Sequence, residues 1–261
     1  MTDEQKSETK PTRKGIYLLP NLFTTAGLFA GFYGIIAAMS NQFEAAAVAI
    51  FVAMIMDGLD GRVARLTNTQ SEFGVQYDSL SDMVCFGLAP GLIIFEWSLR
   101  SMLDQGWLWA KLAWLCAFIF TAGAALRLAR FNTQVASADK HYFQGLPSPS
   151  AAGVLAGLVW FCEDNNLSGS DMWMVGAVLS ATMGMLMVSN VRYSSFKEID
   201  FKNRVPFFAL ILMVFVFVVI SSHPPSVLFL GFLIYAVSGP VITLYQIRVR
   251  RKQRKLKAGD D

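Results

Sequence analysis

The sequence predicts an all-α fold: a polytopic membrane bundle of about eight transmembrane helices, with both termini cytoplasmic. Three observations lead there. Only 16% of the 261 residues are charged and 54% are hydrophobic, whereas soluble domains carry roughly a quarter charged residues. Long stretches hold no charge at all: Ile16 to Met39, Val205 to Ser222 and Ser226 to Ile247. Each reaches the roughly 18 residues that cross about 30 Å of hydrocarbon. Lysine and arginine are also unevenly placed. With the N-terminus inside and eight alternating spans, 20 of the 22 fall in cytoplasmic segments, leaving only Arg100 and Lys111 outside. That asymmetry follows the positive-inside rule and independently favours an even number of crossings.

The spans are expected at about 17–39, 43–65, 82–99, 107–131, 147–163, 171–191, 205–222 and 225–247. The first follows Lys6, Lys10, Arg13 and Lys14, as the apolar part of a signal peptide would. Its apolar stretch is too long for that and no small-residue cleavage site ends it, so it reads as a retained helix. Pro90 and Gly91 interrupt the third span and Glu96 closes it, while 147–163 is rich in Gly and Ala. Six spans with two re-entrant segments are therefore the alternative. Around the membrane domain, 16–247, lie a basic N-terminal segment, 1–15, that reads as disordered, and a basic cytoplasmic tail, 248–261.

The net charge of +3 does not point to nucleic acid. The tail RVRRKQRKLK has no interleaved aromatics and reads as an anchor on anionic lipid headgroups. Cys85, Cys116 and Cys162 stand singly in apolar spans, which indicates neither a zinc site nor a disulfide framework. Gly27 with Gly31, Gly87 with Gly91, and Gly153 with Gly157 recur at four-residue spacing, which lets helix backbones approach closely in lipid. The longer polar connections all fall on the predicted cytoplasmic side, so function is expected at that face.

The uncharged run AAAVAIFVAMIM leads straight into DGLDGRVARLTNTQSEFGVQYDSLSD, residues 57–82. Asp57 and Asp60 are three apart, and Asp78 and Asp82 four apart, so each pair shares one face of a helix. LTNTQSEFG between them can turn the chain and aim one pair at the other. Four carboxylates so placed repel one another, and each is costly at membrane depth. Two divalent cations would neutralise them, and hard oxygen ligands suit Mg²⁺ or Mn²⁺. Near the start of the first span, Asn21, Thr24 and Thr25 either cap its first turn after Pro20 or face a ligand.

The pattern Asp57-x2-Asp60-Gly61-x2-Ala64-Arg65-x8-Gly74-x3-Asp78-x3-Asp82 resembles the complete signature of the CDP-alcohol phosphotransferases. These are integral membrane enzymes that displace CMP from a CDP-linked alcohol with a second alcohol. Residues 72–91, ALRLARFN (125–132) and FQGLPSPSAAG (143–153) further resemble the family's bacterial, membrane-embedded phosphatidylserine synthases. Relatives acting on glycerol phosphate or inositol phosphate typically carry a lysine soon after the third aspartate, where this chain has Ser79, Leu80 and Ser81. The resemblance implies that Asp57, Asp60 and Asp78 bind two divalent ions, with Asp82 contributing to one and acting as general base. It implies CDP-diacylglycerol contacts at Gly61, Arg65 and Ser71 and along Asn21 to Thr24. It also implies L-serine as acceptor, a homodimer, and an inner-membrane enzyme working on its cytoplasmic side.

An acceptor bearing a carboxylate needs a cation. Arg127 and Arg130 either supply it or anchor the end of the fourth span at the cytoplasmic face; Asn132, Gln144 and Ser148 are further candidates. Phe131 and Tyr142 read as interfacial packing. The rival readings are the same chemistry on glycerol phosphate, inositol phosphate or choline, and a cation transporter. A transporter would place its site near the midplane of two related halves, and no second half repeats DxxDG.

Overall fold

The computed structural model describes residues 18–67, 69, 71–134, 142–194 and 207–257. The expected 1–15 segment, Lys140, His141 and the end of the tail lie outside them. The described residues form a helical bundle, joined by one small ribbon of strands.

Helices α1 (Leu18–Met39) and α2 (Phe43–Thr67) make a tight hairpin. Buried alanines at 30, 37, 38, 46, 47, 49 and 53 line this pair. Gly34 lies against the Ala46 carbonyl, 3.2 Å from where its Cβ would stand. Small side chains thus let two apolar helices run close together, and α2 delivers its polar end beside the start of α1.

The next rod corrects the expected third span. It begins at Glu72 rather than near 82 and runs to Trp97 as α3 (Glu72–Asp82), one wide π-helical turn (Met83–Leu88) and α4 (Ala89–Trp97). Pro90 does not break it. Proline has no N–H and its ring crowds the carbonyl four residues back. Here the turn before it is widened, with the Ala89 N–H reaching the Val84 carbonyl five residues back. Asp78 and Asp82 therefore share a helix face as expected, within a rod long enough to cross a membrane that begins ten residues earlier than the expected span.

A 3₁₀ segment (Leu99–Gln105) leads to α5 (Trp107–Gln134), followed by β1 (Tyr142–Gln144), α6 (Ser148–Asp164), α7 (Trp173–Val188), β2 (Arg192–Ser194), α8 (Phe207–Ser222) and α9 (Pro224–Lys257). Helix α6 is the axis of the bundle: every residue from Ala151 to Val159 is buried, and it packs on α2, α4, α7 and α9. That position explains its modest hydrophobicity, since a helix surrounded by others needs small residues more than large ones. All three predicted glycine pairs lie at helix contacts. Gly31 meets Cys85, Gly87 meets Ala124, Gly91 meets Thr121, and Gly153 and Gly157 meet Phe232 and Phe229.

β1 and β2 pair antiparallel, Phe143 opposite Tyr193. The link into α6 is stitched to the end of α7 by the Gly145 N–H on the Val191 carbonyl (2.9 Å) and the Leu146 N–H on the Leu186 carbonyl (3.1 Å). Gly145 has φ +81°, a region glycine enters freely. Among the described residues four stretches are long and apolar enough to cross a membrane: Leu19–Met39, Glu72–Trp97, Trp107–Thr133 and Pro224–Gln246, with Trp173–Val188 apolar but shorter. Helix α2 is not among them because Glu44, Asp57, Asp60, Arg62 and Arg65 interrupt its hydrophobicity. The last helix continues unbroken through Lys257, so the basic tail prolongs it.

Replacing Gly157 tests this close packing. A Cβ there would stand 2.9 Å from the Phe229 Cα, a backbone atom that cannot swing aside. Gly157→Val is expected to lose about 1–3 kcal/mol of stability through overpacking, read as a lower thermal midpoint in detergent. Gly231→Ala, on the exposed face of α9 with nothing within 4 Å, should leave the midpoint unchanged or raise it slightly.

Candidate active site

Three helices build the site. Asp57 and Asp60 lie near the polar end of α2, and Asp78 and Asp82 on α3. Ser71 starts α3 as its N-cap, its Oγ accepting the Gly74 N–H at 3.0 Å, and this fixes where the second aspartate pair begins. Carboxylate oxygens of Asp57, Asp60 and Asp78 all lie within 4.8 Å of one another. Asp82 lies beside Asp57. From α1, buried Thr24 donates to Asp60 Oδ2 at 2.7 Å. Beneath them, Ser81 donates to the Thr24 carbonyl at 3.3 Å and the Cys85 thiol to the Gly27 carbonyl at 3.2 Å. A small pocket lined by the four aspartates, Thr24, Ser81 and Cys85 opens here.

Among the described residues no lysine, arginine or histidine forms an ion pair with any of these four aspartates. Two carboxylates 4 Å apart repel by about 1 kcal/mol in water and about 4 kcal/mol where the effective dielectric falls to 20. A convergent set of hard oxygens without a protein cation fits small divalent metal ions. The donor set thus agrees with the expectation of Mg²⁺ or Mn²⁺.

Other expected site residues surround this cluster. Gly61 is exposed, and nothing lies within 4 Å of where its Cβ would be. Arg65 is also exposed, its Nε donating to the Gly61 carbonyl at 2.8 Å; its guanidinium therefore stands one turn along the helix beside the open face of Gly61. Half-buried Asn21 points its Oδ1 toward Gly74, 3.5 Å from the Cβ position. Thr25 donates to the Asn21 carbonyl at 2.7 Å and is hydrogen-bonded to the Tyr77 hydroxyl at 2.8 Å. The start of α1 is thus tied to α3 beside exposed Ser71. Of the polar residues there, Thr24 and Thr25 are engaged within the protein, Thr24 on a carboxylate of the cluster.

Arg127 and Arg130 turn inward from the end of α5. Arg127 Nη1 donates to the fully buried Ser148 Oγ at 3.0 Å, and Arg130 Nη2 to the Val188 carbonyl at 2.8 Å. Arg127 Nε and Arg130 Nη1 are buried with no hydrogen-bond partner among the described residues. This does not match the surface-anchor alternative, because an anchoring guanidinium would reach outward to headgroups. Arg127 lies within electrostatic range of Asp82. Exposed Asn132 donates to Ser79 Oγ at 3.1 Å, linking α5 to α3 beside Asp78. Gln144 is exposed on β1.

Sequence reasoning ranked Ser148 low and assigned nothing to Ser81 or Tyr77. Ser148 follows Pro147 at the start of α6, a place where serine is expected as a cap; nothing local marks it as the partner of an arginine 21 residues earlier.

A family model for the CDP-alcohol phosphatidyltransferases matches residues 17–188. The chain belongs to that family. The match ends at the last residue of α7 and takes in every element that carries the aspartates. Among the relatives of this CDP-alcohol phosphatidyltransferase are three proteins named CDP-diacylglycerol–serine O-phosphatidyltransferase. That of Helicobacter pylori (strain 26695) is 36% identical over 203 residues, covering 78% of this chain and 83% of the relative. That of Methanocaldococcus jannaschii is 34% identical over 206 residues, covering 79% and 86%. That of Mycobacterium tuberculosis (strain H37Rv) is 36% identical over 189 residues, covering 67% and 63%.

Thr24 offers a test of the cluster as a metal centre. Thr24→Val keeps the shape but removes the donor to Asp60, and loss of a hydrogen bond to a metal-ligating carboxylate typically weakens metal affinity about 10- to 100-fold. Titrating Mn²⁺ against the thermal midpoint should show an affinity shift of that order, with the midpoint in metal-free buffer also lowered because the bond helps hold α1 to α2.

Proposed function

We propose that this CDP-alcohol phosphatidyltransferase transfers the phosphatidyl group of CDP-diacylglycerol to the hydroxyl of L-serine, giving phosphatidylserine and CMP. The observation that carries the reading is the convergence of Asp57, Asp60 and Asp78 beside Asp82 in a family member whose relatives are named as serine O-phosphatidyltransferases. Two divalent ions, Mg²⁺ or Mn²⁺, held by Asp57, Asp60, Asp78 and Asp82 would neutralise charge developing on the pyrophosphate oxygens.

The chain's own residues do the rest. Asp82, beside Asp57, accepts the proton of the serine hydroxyl. The serine oxygen forms a bond to the β-phosphorus while the bond from that phosphorus to the oxygen bridging to CMP breaks, and CMP departs with the electron pair. No covalent enzyme intermediate is needed. Arg65 donates to a phosphate oxygen with its planar fork, and the open face of Gly61 lets the nucleotide lie against α2. Asn21, Thr24 and Ser71 border the same side, Thr24 acting through Asp60. On the opposite side, Arg127 and Arg130 present their unpartnered buried N–H groups to the serine carboxylate, with Asn132 nearby. The bundle crosses the inner membrane eight times with both termini cytoplasmic, so that the acyl chains stay in lipid while serine and CMP exchange with the cytoplasm. It works as a homodimer.

Purified protein supplied with CDP-diacylglycerol, Mn²⁺ and one alcohol at a time should release CMP with L-serine and not with glycerol phosphate, inositol phosphate or choline. CMP release driven only by another alcohol would remove serine as the acceptor. Asp57→Asn should insert and fold as the wild type does, yet lose turnover below detection at saturating Mn²⁺; retained turnover would count against the metal cluster. Arg127→Ala should raise the apparent KM for serine about 10- to 100-fold, the scale of a lost hydrogen bond to a charged group, with that for CDP-diacylglycerol unchanged.

A further inference from the structure

The family match stops at residue 188, yet the acceptor side of the site does not. Helices α6 and α9 run antiparallel in close contact, Gly157 against Phe229 and Gly153 against Phe232. Following that register along both helices brings Tyr235 and Ala236 level with the first turn of α6, where Ser148 receives the Arg127 guanidinium. Tyr235 is also within electrostatic range of Arg127.

Its position is firmly set. The Tyr235 ring packs on that of Tyr193, centroids 5.5 Å apart. Tyr193, on β2, is fully buried and donates its hydroxyl to the Ala236 carbonyl at 2.9 Å. It fits because residue 239 is glycine: a Cβ there would collide with the Tyr193 ring. The ribbon that ties β2 to β1 also holds the turn into α6. One small assembly therefore fixes Ser148 from one side and Tyr235 from the other, with Arg127 between.

We propose that Tyr235, on a helix beyond the matched region, is a positioning residue that supplies the α9 side of the acceptor site and holds Arg127 in register for the acceptor's carboxylate. The proposal rests on the reading of Arg127 as a carboxylate ligand. An arginine that receives a small acid must be kept from swinging toward the aspartate cluster, where Asp82 attracts it. Ser148 restrains one nitrogen, and the Tyr235 side chain, its ring packed on Tyr193, flanks the guanidinium from the other helix. A small acceptor carrying an anionic group fits this arrangement, whereas an uncharged or cationic alcohol gains nothing from it.

The test is steady-state CMP release by the full-length protein with Tyr235→Phe, alone and combined with Arg127→Ala. Tyr235→Phe keeps the ring packing and removes the hydroxyl. It should raise the serine KM about 3- to 10-fold, the scale of one hydrogen bond, leaving the CDP-diacylglycerol KM and the Mn²⁺ requirement unchanged. In the Arg127→Ala background the same change should have no further effect on the serine KM. An unchanged serine KM, parallel rises for both substrates, or full multiplication of the two effects in the double variant would each overturn the proposal. If the wild type instead uses another alcohol, the serine reading fails by itself. The variants are then read against that alcohol, whose KM rises if Tyr235 serves the acceptor site and stays constant if it does not.

Discussion

Everything in this structure is arranged around mutual repulsion among four carboxylates. Asp57, Asp60 and Asp78 approach within 4.8 Å, with Asp82 against Asp57, at the end of an apolar bundle where the dielectric is low. Left alone, such charges would drive α2 and α3 apart. They stay together because other contacts hold the helices: the alanine-lined α1–α2 hairpin, the Thr24 bond to Asp60, and the Ser81 and Cys85 bonds back to α1. Helix α1 bridges both acidic elements. The bundle thereby keeps an arrangement of negative charge that favours binding cations over relaxing away from them, which is what preorganisation means for a charged transition state.

The widened turn after Asp82 belongs to the same problem. The upper half of that rod must present Asp78 and Asp82 to α2, while the lower half must bury Ile93, Ile94 and Trp97. In a regular helix each residue advances about 100°, so one residue more or fewer between the halves rotates one face relative to the other. The π turn absorbs that difference, and wide turns of this kind recur at functional sites. It also relieves the clash that Pro90 would cause in a regular helix, so one distortion meets two demands.

Much of this was legible in the sequence, and the reason is spacing. Intervals of three and four residues state which carboxylates share a helix face, and uncharged runs state where helices lie, so the aspartate cluster and most helix positions followed without structure. The beginning of the third rod did not follow. Hydropathy treats EFGVQYDSLSD as polar and starts the apolar segment afterwards, but the Ser71 cap and the contacts to α1 make it helix from Glu72. Nor was the surrounding of Arg127 legible. Ser148 is 21 residues away in sequence and Tyr235 is 108 residues away, and what joins them is the packing of α5 on α7, α7 on α6 and α6 on α9. The strand ribbon escaped for a similar reason: three-residue strands carry too few positions for a period to show.

The division of the site into two sides carries the mechanistic argument furthest. Gly61 and Arg65 face open space along α2, with Asn21 and Ser71 nearby, whereas Arg127, Arg130 and Ser148 lie inward between α5, α6 and α7. On the proposed reading, the first side would receive the lipid-linked nucleotide and the second the small acceptor. A displacement at phosphorus works best with incoming and departing oxygens roughly in line, so the nucleotide and the acceptor should enter from opposite sides of the carboxylates. Asp82, between Asp57 and the field of Arg127, sits where the two sides meet. On the same reading, a base in that place would take its proton from the bound acceptor, which would favour transfer of the phosphatidyl group over its hydrolysis.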